Sequence, residues 1–470
     1  MPLILPGNVA SALPTGYNID NSCRFNDDDS AYLNRTQSSG STTKFTYSAW
    51  MKRSTLSDTQ DFLDVYDDNN NRFGFFWSSD DQIDMYNKIS GSVNFQKITT
   101  AKYRDPSAWY HVVIAADTTD GTAEDRVKLW VNGVRVTSFG TNTNPGSSDN
   151  LSIHSSDDTQ KIGAYGTTGS DYDGYMAEVF WIDGTAYANT DFGEFDSDSP
   201  TIWKPKDVSG LTFGTNGFYL PFSNSGALGD DESGNSNDFS VTNLAATDQS
   251  TDTPTNNFPT LNSLYKNAVV YSEGNLGATI AASSFESGIT TFGASTSKWY
   301  CEFKTTAQAS GVTRNSAGVI ADTEADGMAD GELGYSANSV GYSSTAVHIN
   351  SSSQSAGSWN SYTTNDIISV AMDLDNGFVY FAKNGTWENS GDPTSAGSGT
   401  GGIALDITSG YTYLFGNTVY ASSAFQCNFG SPPYAISSGN ADANGYGNFE
   451  YTVPSGYFAM NSKNLGAYGG

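Results

Sequence analysis

The chain has 470 residues, of which 51 are acidic and 22 are basic, so its formal net charge is −29 at pH 7. Nucleic-acid binding needs clustered Lys and Arg, so this charge argues against a nucleic-acid partner and against adsorption to anionic membranes. The sequence contains no apolar run of eighteen residues, so no membrane insertion is expected. The length predicts two or three domains.

The acidic residues are mostly aspartate, with 40 Asp against 11 Glu. Glu favours helices, whereas Asp competes for the backbone and favours turns. Together with 49 Gly, this bias predicts an all-β chain of two antiparallel β-sandwiches (jelly rolls) in tandem. The predicted organisation is a leader at residues 1–16, a first sandwich at 17–222, a polar linker at 223–263 and a second sandwich at 264–470.

The leader, Met1-Pro-Leu-Ile-Leu-Pro-Gly7, lacks the basic region and the long apolar region of a signal peptide. We therefore expect synthesis in a cytoplasm without a signal peptide. The leader is too short to form a core alone, so we expect its three apolar residues to bury against a neighbouring subunit.

A hairpin with a two-residue turn at Asn132-Gly133 is predicted within residues 109–136 of the first sandwich. Apolar residues alternate on both sides of this turn, which is the period of a strand with one buried face. Four of them are expected on the buried face. Leu129 is expected opposite Val136, and Val131 opposite Val134. The segments WYHVVIAAD, LWVNGVRV, IGAY and DGYMAEVFWIDG resemble a laminin G-like, concanavalin-type domain.

Concanavalin-type sandwiches also occur in glycoside hydrolases that carry a Glu-x-Asp-x-(x)-Glu strand. The nearest match here runs from Glu194 to Asp198, but Pro200 follows closely and a central strand rarely continues through Pro. We therefore predict a carboxylate-rich turn, no catalytic residues and no enzyme activity. A polysaccharide depolymerase remains the alternative.

The second sandwich contains an alternating strand that ends in Asn376-Gly377, where a two-residue hairpin turn is predicted. This turn would pair Leu374 with Val379 and Met372 with Phe381. The hairpin, together with the later segment FQCNFGSPP, resembles a SPRY domain, which binds partners through its loops. The three cysteines of the chain all fall in apolar strand patterns, so we expect buried free thiols.

Two candidate sites are predicted in the second sandwich. Aromatic residues in or beside its loops are candidates for stacking on sugar rings: Tyr335, Tyr342 and Trp387. Carboxylates between residues 322 and 332 alternate like those of a Ca²⁺ loop, although Leu333 stands where that loop needs a Glu. The candidate Ca²⁺ ligands are Asp322, Glu324, Asp326 and Asp330, and a solvated acidic loop is the alternative.

Several longer segments resemble virion structural proteins of marine bacteriophages, of the tail-fibre-like kind. These segments are IWKPKDVSGLTFGTNGFYLPF, DESGNSNDF, TDTPTNNFPTLN and VPSGYFAMNSKNL. The resemblance implies a virion location, a homo-oligomer in contact with other virion proteins, and either attachment to host-surface glycans or decoration of the particle. A free carbohydrate-binding protein is a further alternative.

Overall fold

The computed structural model describes residues 16–154, 158–166, 169–265, 268–308, 315–325, 331–344, 346–349, 352–354 and 359–469. These residues form two compact units, one ending at Thr255 and the other beginning at Asn256. Strands dominate the described residues and the helices are short, so the all-β prediction is confirmed. The predicted leader lies outside the described residues, except for its last residue.

The strands of the first unit are short and closely spaced, as the many turn residues predict. In chain order they are β1 (Ser22–Phe25), β2 (Tyr32–Thr36), β3 (Lys44–Arg53), β4 (Gln60–Asp68), β5 (Asn71–Trp77), β6 (Ile83–Ile89), β7 (Ser92–Thr99), β8 (Trp109–Asp117), β9 (Val127–Val131), β10 (Val134–Arg135), β11 (Phe139–Thr143), β12 (Thr159–Ile162), β13 (Gly174–Asp183), β14 (Gly193–Phe195), β15 (Trp203–Pro205), β16 (Phe218–Leu220), β17 (Ser240–Thr242) and β18 (Gln249–Ser250). Single 3₁₀ turns occur at Asp27–Asp29, Ala123–Asp125, Asn189–Asp191 and Ala246–Asp248.

Two large sheets of the first unit enclose one apolar core. The first has the order β10-β9-β8-β3-β13-β1-β18, with β16 also paired to β13, and the second has the order β11-β7-β6-β5-β4-β12-β2-β17. Alternate residues of the long strands point inward, and their rings stack across the core, as Phe45 does on Trp181 at 4.8 Å. The small sheet β14-β15 is separate from both.

The polar stretch predicted as a linker contributes strands to the first unit. Strand β17 pairs with β2, and β18 pairs with β1. Phe239 is buried in the core of this unit, whereas Val241 is exposed. Leu228 is buried in the same core and Leu244 packs against it, so a few apolar residues attach a polar segment whose strands lie at sheet edges.

The hairpin around Asn132-Gly133 has the predicted register. Val131 pairs with Val134, and the Val136 backbone N–H donates to the Leu129 carbonyl. The prediction that all four apolar residues are buried is wrong, because Leu129 is 1% exposed but Val134 is 62% exposed. At the tip, the Trp203 ring lies against Gly133 and Asn189 donates to the Gly133 carbonyl, whereas Val134 is left exposed.

Strands of the second unit occupy both sides of a second core. In chain order they are β19 (Val270–Ser272), β20 (Gly277–Thr279), β21 (Glu286–Ala294), β22 (Lys298–Ala307), β23 (Ser316–Ala321), β24 (Ser339–Ser343), β25 (Val347–Ile349), β26 (Ser352–Gln354), β27 (Ile367–Asp373), β28 (Phe378–Lys383), β29 (Thr386–Trp387), β30 (Ile403–Ala404), β31 (Tyr413–Val419), β32 (Ala424–Asn428) and β33 (Phe458–Ala459). The helices are α1 (Asp322–Ala325) and α2 (Ser462–Tyr468), with 3₁₀ turns at Glu388–Ser390 and Ala396–Ser398.

The larger sheet of the second unit has the order β19-β20-β32-β22-β27-β28-β29, with β30 paired to β28 and β33 to β22. The smaller sheet has the order β21-β31-β23-β24-β25-β26. Two of the three cysteines, Cys301 and Cys427, lie in the core between these sheets. All three cysteines are free and buried, as expected.

The hairpin joining β27 to β28 differs from the predicted one. Asp373 pairs with Phe378, and Met372 pairs with Val379, so four residues form the connection instead of two. The Asp373 carboxylate accepts the backbone N–H groups of Asp375 and Asn376 and so stabilises the wider loop. The predicted pairing is wrong by two positions, but a shift of two keeps each residue on its predicted face.

We predict that Leu129→Ala lowers the free energy of unfolding of the first unit by about 2–5 kcal/mol, because it leaves a cavity at a fully buried position. Val134→Ala, on the same hairpin, should cost less than about 0.5 kcal/mol because this residue is exposed. Urea unfolding followed by tryptophan fluorescence measures both. Equal losses for the two variants would contradict the observed faces.

Candidate functional site

The outward face of the second sheet of the first unit carries polar and aromatic side chains across its strands. Phe73, Phe75 and Trp77 of β5 point into the core, so the alternate residues of that strand face outward. A row of paired positions crosses β7, β6, β5, β4, β12 and β2 on this outward side. The row consists of Gln96, Tyr86, Gly74, Asp64, Lys161 and Asn34. We refer to this row, together with the adjacent Arg72, Asp61, Phe76, Asp84 and Tyr165, as the Arg72 face.

Arg72 is bound by two carboxylates at the centre of this face. Its Nε donates to Asp64 at 2.5 Å and one Nη donates to Asp61 at 2.6 Å. Asp61 and Asp64 would lie on opposite faces of a regular strand, but the pairing of β4 with β5 shifts between Asp61 and Leu63. This irregularity brings both carboxylates to one side, as a β-bulge does.

Gly74 leaves room for the Arg72 side chain to reach both carboxylates. A Cβ at this glycine would lie 3.0 Å from Asp64 Oδ1 and 3.6 Å from an Arg72 Nη. A larger residue here would therefore press on the ion pairs. The small residue is favoured by the approach of side chains, not by its backbone conformation.

Tyrosine rings flank the Arg72 guanidinium on the solvent side. The guanidinium carbon lies 3.9 Å from the ring centre of Tyr165 and 4.9 Å from that of Tyr86, which is close enough for cation–π attraction. Phe76 packs edge-on against Tyr86. These rings are half-buried, so part of each remains open to solvent.

Burial changes the ionisation of the carboxyl groups on this face. Desolvation raises the pKa of Asp64 to about 6 although Arg72 opposes the rise, and it raises the pKa of Asp84 to about 6 although Gln96 donates to this carboxylate. The pKa of Asp61 is raised well above its ordinary value by burial and by the nearby Asp64. The face therefore holds groups that can exchange protons between neutral and mildly acidic pH.

A separate buried carboxyl, Glu178, faces outward from the first sheet of this unit. Tyr219 and Tyr17 donate their hydroxyl groups to it at 2.7 and 3.4 Å. Burial nevertheless raises its pKa to about 7. The folded unit therefore holds a proton on Glu178 that the unfolded chain releases near pH 4.5. The contribution of this group to stability is complete below pH 4.5 and is lost as the pH rises through about 7.

We predict that the first unit is less stable at pH 8 than at pH 5, and that Glu178→Gln removes up to about 3 kcal/mol of this difference. Urea unfolding of both proteins at the two pH values measures it. High salt should be present throughout, since it screens the repulsion among the surface charges. The same pH dependence in both proteins would show that Glu178 does not titrate in this range.

The carboxylates considered for glycoside hydrolysis lie elsewhere. Glu194 is in the small sheet β14-β15, where it and Asp196 pair with Lys204 at 3.5 and 3.1 Å. Asp198 follows in a turn, and its backbone N–H donates to Asp196. Glu194 is therefore in a strand, and Asp196 and Asp198 lie in the carboxylate-rich turn that the sequence predicts.

The three aromatic residues predicted to stack on sugars have different environments. Tyr342 is fully buried in the second core, where its ring contacts Trp359 and Phe381, so its predicted role as an exposed stacking ring is wrong. Tyr335 packs against His348 at 5.0 Å. Trp387 is half-buried and borders a cavity. The structure does not bring these residues together in one contact network.

The predicted Ca²⁺ loop is described only in part. Asp322 and Glu324 lie in helix α1, and the Asp322 carboxylate accepts the Thr412 backbone N–H. Residues two apart on a helix do not face each other, so these carboxylates do not converge as the loop spacing predicts. Asp326 and Asp330 lie outside the described residues. Among the residues that the structure describes, no three His, Cys, Asp or Glu side chains lie close enough together to hold a metal ion.

Comparisons with known proteins support the fold of the first unit. Residues 25–187 match the family model Laminin_G_3, described as the concanavalin A-like lectin/glucanases superfamily. These residues therefore form a concanavalin-like lectin/glucanase-fold domain, as the segments in the sequence suggest. No curated protein matches the chain. Among the described residues, no helix is long and apolar enough to cross a bilayer.

Three solved structures are among those similar to the chain. The SPRY domain of human HERC1 is 14% identical, with 36% of this chain and 96% of that one covered and a TM-score of 0.28. A heptameric SAP-like pentraxin from Limulus polyphemus is 18% identical, with 37% and 80% covered and a TM-score of 0.29. Domain 4 of AbnA, a GH43 extracellular arabinanase from Geobacillus stearothermophilus solved with arabinotriose, is 16% identical, with 32% and 64% covered and a TM-score of 0.25.

Sequence reasoning missed the residues of the Arg72 face. Strand alternation does reveal that Arg72 and Phe76 oppose the core-facing rings of β5. It assigns Asp61 and Asp64 to opposite faces, because the irregularity in β4 has no sequence mark. The partners of Arg72 could therefore not be found from spacing alone.

Proposed function

We propose that the protein binds carbohydrate and displays its lectin-like sandwiches on a phage particle. The observation that carries the binding proposal is the Arg72 face, where a partnered cation lies beneath open tyrosine rings on the outward side of a concanavalin-like domain. The particle-bound role is supported by the resemblance of several sequence segments to marine phage virion proteins. Repeated display in a homo-oligomer, beside other virion proteins, would convert weak single sites into useful avidity.

The geometry of the Arg72 face suits a sugar ring. Tyr165 and Tyr86 offer apolar ring surface for the C–H side of a pyranose. Arg72 has five N–H donors, of which Asp64 and Asp61 accept one each and Tyr86 interacts with another, so at most two remain for hydroxyl groups of a ligand. Gln96, paired opposite Tyr86, adds an amide oxygen on the same face. Planar rings next to fixed donors and acceptors are typical of sites that select an orientation.

We expect Tyr165→Ala and Tyr86→Ala each to weaken binding to a cognate polysaccharide at least tenfold, because each removes a stacking surface. A panel of immobilised neutral and acidic polysaccharides, including laminarin-type glucans and host capsular polysaccharide, identifies the ligand by surface plasmon resonance. Tyr187→Ala is the matched control, since Tyr187 is also half-buried but packs on the other sheet of the same unit.

Unchanged affinity in both face variants, or an equal loss in Tyr187→Ala, would overturn the assignment of binding to this face. No binding to any polysaccharide by a folded, multivalent preparation would overturn the carbohydrate proposal itself. The particle-bound role has its own test, since purified particles that lack the protein would contradict it.

A depolymerase is the second candidate, and the raised pKa values of Asp61 and Asp64 favour it, because catalytic carboxyls are often perturbed in this way. We propose binding without hydrolysis, since Asp64 is fully buried and Asp61 is 2% exposed beneath Arg72. A nucleophile or an acid must reach the glycosidic oxygen or carbon. Arg72 holds one oxygen of each carboxylate, and burial keeps both groups away from a polysaccharide on the surface.

We therefore expect no release of reducing ends when the protein is incubated with the polysaccharide that it binds. Oligosaccharide release that disappears in Asp64→Asn, with binding retained, would establish the enzyme instead. Release that disappears in Glu194→Gln would place catalysis in the β14-β15 turn. A sensitive reducing-end assay over hours distinguishes these outcomes.

A further inference from the structure

A cavity of about 350 Å³ opens on the outward face of the larger sheet of the second unit. It exists because neighbouring outward positions carry small residues, with Ser369 of β27 directly opposite Ala382 of β28. Large rings border this floor: Tyr300 lies on β22, and Trp387 of β29 is paired with Ala382. The cavity is within the range of small-molecule sites, roughly 300–1,000 Å³.

The chain after β32 forms the opposite wall of the cavity. Tyr451, Val453 and Pro454 line this side. A Cβ on Gly385, whose φ is +78°, would lie 2.6 Å from Tyr451 Cδ1. The turn after β28 therefore needs glycine both for its backbone conformation and for the approach of the Tyr451 ring.

A directed chain of hydrogen bonds ends at the floor of the cavity. The buried Glu302 carboxylate accepts from the backbone N–H groups of Glu450 and Tyr451, from the Asn428 amide and from the Tyr300 hydroxyl. Burial raises the pKa of Glu302 to about 7 although these donors oppose the rise, so the ionised form predominates above pH 7.

The direction of this chain fixes what Ser369 offers to a ligand. Tyr300 Oη lies 3.0 Å from Glu302 and 2.9 Å from Ser369 Oγ. A phenol has one proton, and the carboxylate is the stronger acceptor, so Tyr300 donates chiefly to Glu302 and leaves the Ser369 oxygen open to another donor. The Ser369 oxygen is left with acceptor capacity, and Ser369 lines the floor of the cavity, where it is 1% exposed.

These features together define the chemistry of the ligand. None of the described residues that line the cavity is charged, so nothing in the lining neutralises an ionic ligand. The aromatic wall favours a ligand with an apolar ring face, and the Ser369 oxygen favours a ligand with a hydrogen-bond donor. A proline ring has the apolar face but no N–H, whereas a sugar has both an apolar face and hydroxyl donors.

We propose that this cavity binds one neutral sugar ring, which stacks on Trp387 or Tyr451 and donates a hydroxyl to Ser369. The site is in the second unit and uses none of the residues of the Arg72 face, so it goes beyond the proposed function. It gives the chain a second carbohydrate site with a different selectivity. The cavity admits a single ring, whereas the Arg72 face is an open surface.

The test is saturation-transfer NMR at pH 8 with the full chain carrying Tyr165→Ala, so that the Arg72 face does not contribute. The probes are methyl β-galactoside, methyl β-glucoside, methyl α-mannoside, galacturonic acid and acetyl-Pro-Pro-amide. At least one methyl glycoside should bind, and galacturonic acid and the peptide should bind at least fivefold more weakly. Ser369→Ala should weaken glycoside binding about tenfold, and Trp387→Ala should weaken it by at least as much.

Ala382→Leu should abolish binding because it fills the floor, whereas Ala404→Leu adds the same atoms at an exposed position of β30, which also pairs with β28. Binding in Ala404→Leu with loss in Ala382→Leu supports the site. Should Ala382→Leu not fold, Ser369→Ala and Trp387→Ala decide the question. Absence of glycoside binding would overturn the proposal. So would binding that is retained in Ser369→Ala, Trp387→Ala and Ala382→Leu, or preferential binding of the proline peptide.

Discussion

The apolar side of every central strand must be buried against the opposite sheet, and this requirement leaves the outward faces for binding. In β5, three large rings point into the core, so Arg72 and Phe76 face outward. In β27, Val370 and Met372 point into the core, so Ser369 faces outward. Both candidate sites therefore lie on the sides of the sheets that face away from the two main cores.

Polar groups on these outward faces are nearly as buried as the cores, and their partners explain why the fold accepts them. An unpaired buried charge is strongly destabilising. Arg72 is matched by Asp61 and Asp64, and Glu302 by several N–H and O–H donors. Such networks hold their members in fixed directions. A fixed direction is what allows Arg72 and Ser369 to present defined donors and acceptors to a ligand.

The Asp-over-Glu bias predicted the fold class. Strand alternation predicted the strands of both hairpins and the buried thiols, because a period of two residues needs no tertiary information. It failed where a local irregularity changes the count. The carboxylate of Asp373 widens the predicted two-residue turn, and the irregularity in β4 moves Asp61 to the face of Asp64. Tyr342 shows a different limit, since a tyrosine beside a predicted loop can equally fill the core. The cavity beside Trp387 depends on small residues that lie opposite each other on β27 and β28. Only the register of the two strands shows that these residues are neighbours.

The most direct measurement of the central claim is a crystal structure of the full chain with an oligosaccharide of the polysaccharide that it binds. We predict a sugar ring in van der Waals contact with Tyr165 or Tyr86, with a hydroxyl group within hydrogen-bond distance of Arg72 or Gln96. Density for the sugar only at other surfaces, with the Arg72 face open and free of lattice contacts, would contradict it.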